Sequence, residues 1–218
     1  MGLDSAYGIG SLKPGVCTSS TRPASPFEGQ VIFETDTDRL YVYNGSAWVI
    51  PNSPAQNPTG LELVSSTAVG TAVSTVTVSN AFSTTYDTYR VVWSGGVGSV
   101  STGLGVRVGG ATTNYSHMLF WQSISGPAGV NNDNSSSTTQ VNYVGSMTTN
   151  SSTLTLDVIN PYISTLCTTF TGGSYIAGDF GVGVGRHNTA QSNTSVTVLP
   201  LTGTMTGGTI YVYGYRKS

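Results

Sequence analysis

Charge is scarce in this chain of 218 residues: Lys and Arg number 8, Asp and Glu 10, together 8%. A net charge of −2 provides no basic stripe, which argues against a nucleic-acid partner. The surface must instead be solvated by Ser, Thr, Asn and Gly. Such a surface lacks like-charge repulsion and fits a protein that works inside an assembly. Cysteine is equally sparse. Cys17 and Cys167 are the only two and lie far apart, so no disulfide framework organises the fold. Two free thiols fit synthesis in a reducing cytoplasm. No apolar run approaches the roughly 20 residues that cross a bilayer, so no membrane span is expected. The opening MGLDSAYGIG lacks the basic and apolar regions of a secretory signal, and none is expected.

Catalytic and metal signatures are missing too. His117 and His187 stand in no paired-ligand frame. No G-x-S-x-G elbow occurs. The glycines at 181, 183 and 185 lack the spacing and following helix of a phosphate loop. Alternate glycines instead leave one strand face bare, open to a second sheet, a partner chain or a ring. Asp36 and Asp38 form a D-x-D that reads as turn chemistry before it reads as a cation site. Glycan hydrolysis requires two carboxylates flanking a cleft. The acids in the second half of the sandwich are Asp133, Asp157 and Asp179, and alternation puts Asp157 on an outward strand face. The expectation is a chain that is not an enzyme, with no cofactor and no metal.

What the chain does contain is β-pattern and turns. Residues 21–50 spell a three-stranded meander. Val31 to Glu34 is β-rich, residues 35–38 supply a turn, Arg39 to Tyr43 alternates, Asn44-Gly45 turns again, and Trp48 to Ile50 closes the unit. Pro23 and Pro26 precede it; Pro51 and Pro54 follow it. A unit this small cannot bury enough apolar surface to stand alone. Phe27, Phe33, Leu40, Tyr41, Tyr43 and Trp48 are therefore the candidate docking residues. Residues 1–20 read as an extended arm without a core of its own, and residues 51–60 as a proline-containing linker.

Residues 61–218 read as one antiparallel β-sandwich, jelly-roll-like, of about ten strands. Leu104, Val106 and Val108 share a face, as do Leu154, Leu156 and Val158. Ile210, Val212 and Gly214 oppose Tyr211, Tyr213 and Tyr215. The polar run 126–137 reads as a long exposed loop and a contact loop. The fold class expected is all-β throughout.

Three motifs in 21–54, RPASPFEGQ, ETDTDR and YNGSAW in that order, resemble an element recurring in bacteriophage virion proteins of the tail-fibre, minor structural and head-decoration types. TYDTYRVV at 85–92, LDVINP at 156–161 and GTMTGGTIYVYGYR at 203–216 resemble a C-terminal domain of phage structural proteins. The resemblance implies a surface appendage of the virion, a capsid decoration, spike or short tail-fibre subunit. It would be anchored by its N-terminal segment and made in the host bacterial cytoplasm. It implies other virion proteins as partners, in capsid or tail, and a homotrimer as the assembly. The alternative is a receptor-binding module for host surface polysaccharide. Tyr115, Trp121, Asn131, Asn132, Tyr211 and Tyr213 are its candidate glycan or interface contacts, because aromatic faces serve both roles.

Overall fold

The structure, a computed structural model, describes residues 14–51, 60–126, 131–176 and 179–217, with the side chains of 174–176 excepted. The described residues form strands and turns without a helix, so the protein is all-β. Its contacts divide it into two units, with the boundary between Pro58 and Thr59.

The first unit is a four-stranded sheet of β1 (Gly15–Cys17), β2 (Val31–Glu34), β3 (Arg39–Tyr43) and β4 (Trp48–Val49). The last three strands are the meander read from the sequence. The addition is β1, which pairs in parallel with β2. The arm therefore has structure at its end: the backbone of Gly15, Val16 and Cys17 completes a ladder the meander leaves open. Most of the remaining arm, residues 1–13, lies outside the described residues, as do linker residues 52–59, Pro54 among them. At Asn44-Gly45 only the glycine takes positive φ, 91°. The Asn44 side chain instead accepts the backbone N–H groups of Ser46 and Ala47 at 3.0 and 2.9 Å, closing an Asx-type turn.

The second unit opens with β5 (Leu61–Ala68), β6 (Val76–Val78), β7 (Thr88–Ser94), β8 (Val97–Gly98) and β9 (Thr102–Val108). It continues through β10 (Tyr115–Ser123), β11 (Asn131–Thr138), β12 (Val141–Met147), β13 (Ser152–Ile159) and β14 (Thr168–Ile176). It closes with β15 (Asp179–His187), β16 (Val196–Pro200), β17 (Met205–Thr206) and β18 (Thr209–Tyr215). All its ladders are antiparallel, and β8 and β17 pair separately.

The main sheet splits at β13. One edge of β13 pairs with β12 through Ser152–Leu154 and with β14 through Leu156–Ile159. From that fork one layer runs β11-β10-β15-β14-β13-β7-β18-β5, and the other runs β12-β9-β16-β6. The chain crosses between the layers repeatedly, while β10–β11 and β13–β14–β15 remain in one layer as hairpins, and the whole is a β-sandwich.

The core lies between the layers. Val91, Leu156, Ile210 and Val212 of the first layer and Leu104, Val106, Val196 and Val198 of the second are fully buried. The period-two faces read from sequence at 104–108, 154–158 and 210–214 are the inward faces. The bare face of β15 has its occupant as well. A Cβ on Gly183 would stand 2.2 Å from the Tyr143 carbonyl oxygen, and one on Gly172 2.3 Å from that of Val144. The glycines let β12 cross β14 and β15 at backbone distance.

The polar run at 126–137 departs from expectation. Residues 131–138 are strand β11, paired to β10 along most of its length. Asn, Asp and Ser have poor strand propensity, so the sequence reads as loop. As an edge strand, β11 satisfies only one row of backbone groups from its neighbour, and its mostly exposed side chains suit water. Residues 127–130 lie outside the described residues.

Candidate functional site

Two places in the molecule leave apolar or polar groups arranged but unspent. The first is the N-terminal sheet. Register puts Val16, Val31, Phe33, Leu40, Val42 and Val49 on one face. None of the six is buried, and Val16 is 67% and Leu40 41% exposed. The opposite face carries the unit's own small core. There Ile32 is 1% exposed, Tyr43 packs on Trp48 with ring centroids 5.4 Å apart, and the Arg22 guanidinium lies 4.8 Å above the Tyr41 ring. Arg22 also pairs with Glu34, whose other oxygen accepts the Thr37 hydroxyl at 2.9 Å. Its bond to Arg22 holds the Glu34 carboxyl below the usual carboxylate range.

The six expected docking residues therefore separate. Phe33 and Leu40 sit on the open apolar face. Tyr41, Tyr43 and Trp48 sit on the face with the local core and are half-buried. Phe27 is exposed in the entry segment before β2. Val16 and Val49 were not singled out from the sequence; only the four-strand register shows that they extend the apolar face. Asp36 of the D-x-D accepts the Ser19 backbone N–H at 2.9 Å, and Asp38 adopts a φ of 51°. Bonds from Ser19 lower the Asp36 pKa. Asp36 thus ties the turn to the segment after β1, and Asp38 shapes the turn itself.

The second place is a cleft of about 360 Å³ in the sandwich. It forms where the larger layer extends through β10 and β11 beyond β12. Trp121 of β10 and Tyr143 of β12 line it with their aromatic side chains, over Leu119 and Gly181. Asp133 and Asp179 supply its polar side chains, and Asn132, whose side chain lies on the outward face with Asn134, borders it with its backbone. Tyr143 sits in a bulge: residues 142–144 of β12 stand opposite Gly105 alone, and Tyr143 adopts a φ of 60°. That left-handed conformation is costly for a bulky side chain and collects at functional positions. Burial, then the negative charge of Asp133 and a hydrogen bond to it, raise the Tyr143 pKa, so its hydroxyl stays protonated and donates to Asp133.

Of the six expected glycan or interface contacts, Trp121 lines this cleft, and Asn132 borders it with its side chain turned to the outward face. Asn131 is exposed beside them on β11. Tyr115 is a correction. It is fully buried, and its hydroxyl accepts the Val108 N–H at 2.9 Å and lies 3.3 Å from the Ala111 carbonyl oxygen. Tyr115 falls on the same strand face as Trp121, but farther under the second layer. Tyr211 and Tyr213 are half-buried on the outward face of β18, ring centroids 6.1 Å apart, away from the cleft.

The carboxylates also sort themselves. Asp157 is outward, as alternation implied, but not merely solvated. Arg90 grips it through two bonds of 2.9 and 2.8 Å, and the Tyr215 hydroxyl donates at 3.0 Å. Asp133 and Asp179 share the cleft, an arrangement the sequence could not reveal. They pair with opposite sides of β10, Asp133 beside Leu119 and Asp179 beside Ser123. Two strand spacings across and four residues along place their Cα atoms on the order of 15 Å apart.

His117 points inward beside the cleft and His187 inward against Tyr115, farther along β15; they are 6% and 1% exposed, and Nδ1 of each lacks a hydrogen-bond partner. Burial lowers both pKa values, and at His117 the charge of Asp133 partly offsets that.

Comparison with known proteins finds no matching family model, no matching curated protein and no matching solved structure.

Proposed function

We propose that this chain is a non-catalytic structural subunit of a bacteriophage virion, a surface appendage that docks through its N-terminal sheet and displays the sandwich. The observation that carries this is the open face of Val16, Val31, Phe33, Leu40, Val42 and Val49. A four-stranded sheet with one face wholly apolar and unburied is half of an interface. Of the motifs that resemble virion proteins, ETDTDR and YNGSAW fall on this same sheet and its turns, and RPASPFEGQ leads into it. Other virion proteins are the partner this reading implies.

Self-association has separate support. On the outward face of β10 and β15, register aligns Met118 with Val184 and Phe120 with Val182. Phe120 is 49% and Val182 52% exposed. A contiguous apolar stripe on so weakly charged a chain suits contact between copies, and the homotrimer is the form proposed.

Sedimentation of purified particles through a density gradient tests the docking reading. The parent chain is expected to travel with the particle, and Val16→Asp/Leu40→Asp to be left behind while the sandwich stays folded. A parent chain that never travels with particles, or a variant retained as well as the parent, sinks the reading.

A further inference from the structure

The cleft between β10, β11, β12 and β15 has the composition of a binding site, yet docking and self-association leave it unused. Its two aromatic side chains come from different layers, Trp121 from the larger and Tyr143 from the smaller. Trp121 is half-buried, held on a strand paired on both sides, so its ring is positioned without a ligand. Tyr143 is fixed by the bulge at φ 60° and by the glycine beneath it, Gly183. An ordinary strand residue there would keep the regular alternation of faces; the bulge re-aims this one. The volume is at the small end of ligand pockets, room for one or two sugar rings.

The chemistry of the lining narrows the ligand. An aromatic face carries negative π density and accepts the C–H face of a pyranose, whose hydrogens are partly positive. The Tyr143 hydroxyl is a donor shared with Asp133, and Asp133 and Asp179 offer only acceptors. Such a set suits a ring bearing hydroxyl donors. Charge narrows it again. The ion pairs among the described residues join Arg22 to Glu34, Arg90 to Asp157, Arg216 to Glu62 and Lys217 to Asp87. Neither cleft carboxylate takes part, and no Lys or Arg is among the residues lining the cleft. An acidic sugar would enter against two uncompensated negative charges.

We infer that this cleft binds a saccharide whose ring is neutral or amino-bearing and that it rejects uronic and other acidic sugars. It gives the expected polysaccharide contact a definite location: Trp121, Tyr143, Asp133 and Asp179. The tyrosines at 211 and 213 play no part in it. The inference does not rest on the appendage reading, since binding is measured on the isolated chain and docking on the particle.

Indole-detected NMR of the full-length chain tests it. The probes are neutral disaccharides of glucose, galactose, mannose and N-acetylglucosamine, the β-1,4-linked glucosamine disaccharide, and digalacturonate. At least one neutral or amino disaccharide is expected to move the Trp121 indole signal saturably, and digalacturonate to bind at least tenfold more weakly. Trp121→Ala is expected to lose binding at least tenfold. Asp133→Asn/Asp179→Asn is expected to bring digalacturonate within threefold of the best neutral probe, a charge readout that stands if Trp121→Ala fails to fold. The inference is overturned if no probe moves the indole up to 20 mM, if digalacturonate binds as tightly as the rest, or if the double amide variant leaves discrimination unchanged.

Discussion

The two histidines show how strongly a single residue depends on its surroundings. In sequence each is an isolated His. In the fold both are buried, with Nδ1 unpartnered. Burial keeps them neutral by lowering their pKa below the ordinary 6.5. The unfolded chain takes up protons at the ordinary value while the native chain resists, so stability falls as pH drops below about 6.5. Urea midpoints are expected to decline between pH 7.5 and pH 5, and His187→Phe to flatten part of that slope. An unchanged slope in the variant would mean the His187 imidazole is not the group responsible. Asp157 has the usual carboxylate behaviour: its bonds to Arg90 lower its pKa, and their contribution is lost as pH falls through and below the normal range near 4. With both partners about a third exposed, Asp157→Asn should cost only about 0.5–1 kcal/mol in chemical denaturation. Tyr115→Phe removes a buried hydroxyl that satisfies the Val108 N–H and should cost about 1–2 kcal/mol.

At the scale of elements, the glycines of β15 carry the most weight. Gly183 has no room for a Cβ, because the carbonyl of Tyr143 lies across it. The neighbour is backbone and cannot swing aside as a side chain could. Gly183→Ala should therefore destabilise by about 1–3 kcal/mol and displace the Tyr143 segment. Thermal melting reads the first effect, and the position of the Tyr143 ring signals in NMR reads the second. A variant as stable as the parent would mean β12 does not rest on β15 as described. The same crossing explains why Gly181, Gly183 and Gly185 were readable as a bare face, while the element laid against that face was not. Strand β11 makes the converse point. Its Asn, Asp and Ser residues encode solvation, and only pairing with β10 makes them a strand.

For the whole molecule, the division near residue 58 separates two different kinds of stability. The sandwich has a continuous core between its layers, and residues 60–218 expressed alone should melt cooperatively at the temperature of its transition in the full chain. The N-terminal sheet has one buried aliphatic, Ile32, and an apolar face left open. Light scattering of the full chain should give the mass of three copies, and Phe120→Asp/Val182→Asp should reduce it to one while preserving the sandwich transition. A parent chain that is monomeric at all concentrations would remove the stripe on β10 and β15 as an assembly surface.

The sequence by itself determined the all-β class, the meander, the inward faces of the sandwich strands and the lack of a catalytic motif. These follow from period-two alternation, turn residues and composition, which are local properties of the chain. Tertiary structure alone decided the rest. It removed Tyr115 from the candidate contacts by burying it beneath the second layer, although Trp121 shares its strand face. It recruited Val16 and Val49 to the apolar sheet face, and it brought Asp133, Tyr143 and Asp179 from three strands to the Trp121 cleft. The physical reason is the same in each case. Alternation tells which side of a strand a residue occupies, but strand order and layer crossing decide what lies on that side, and those depend on pairings between residues distant in the chain.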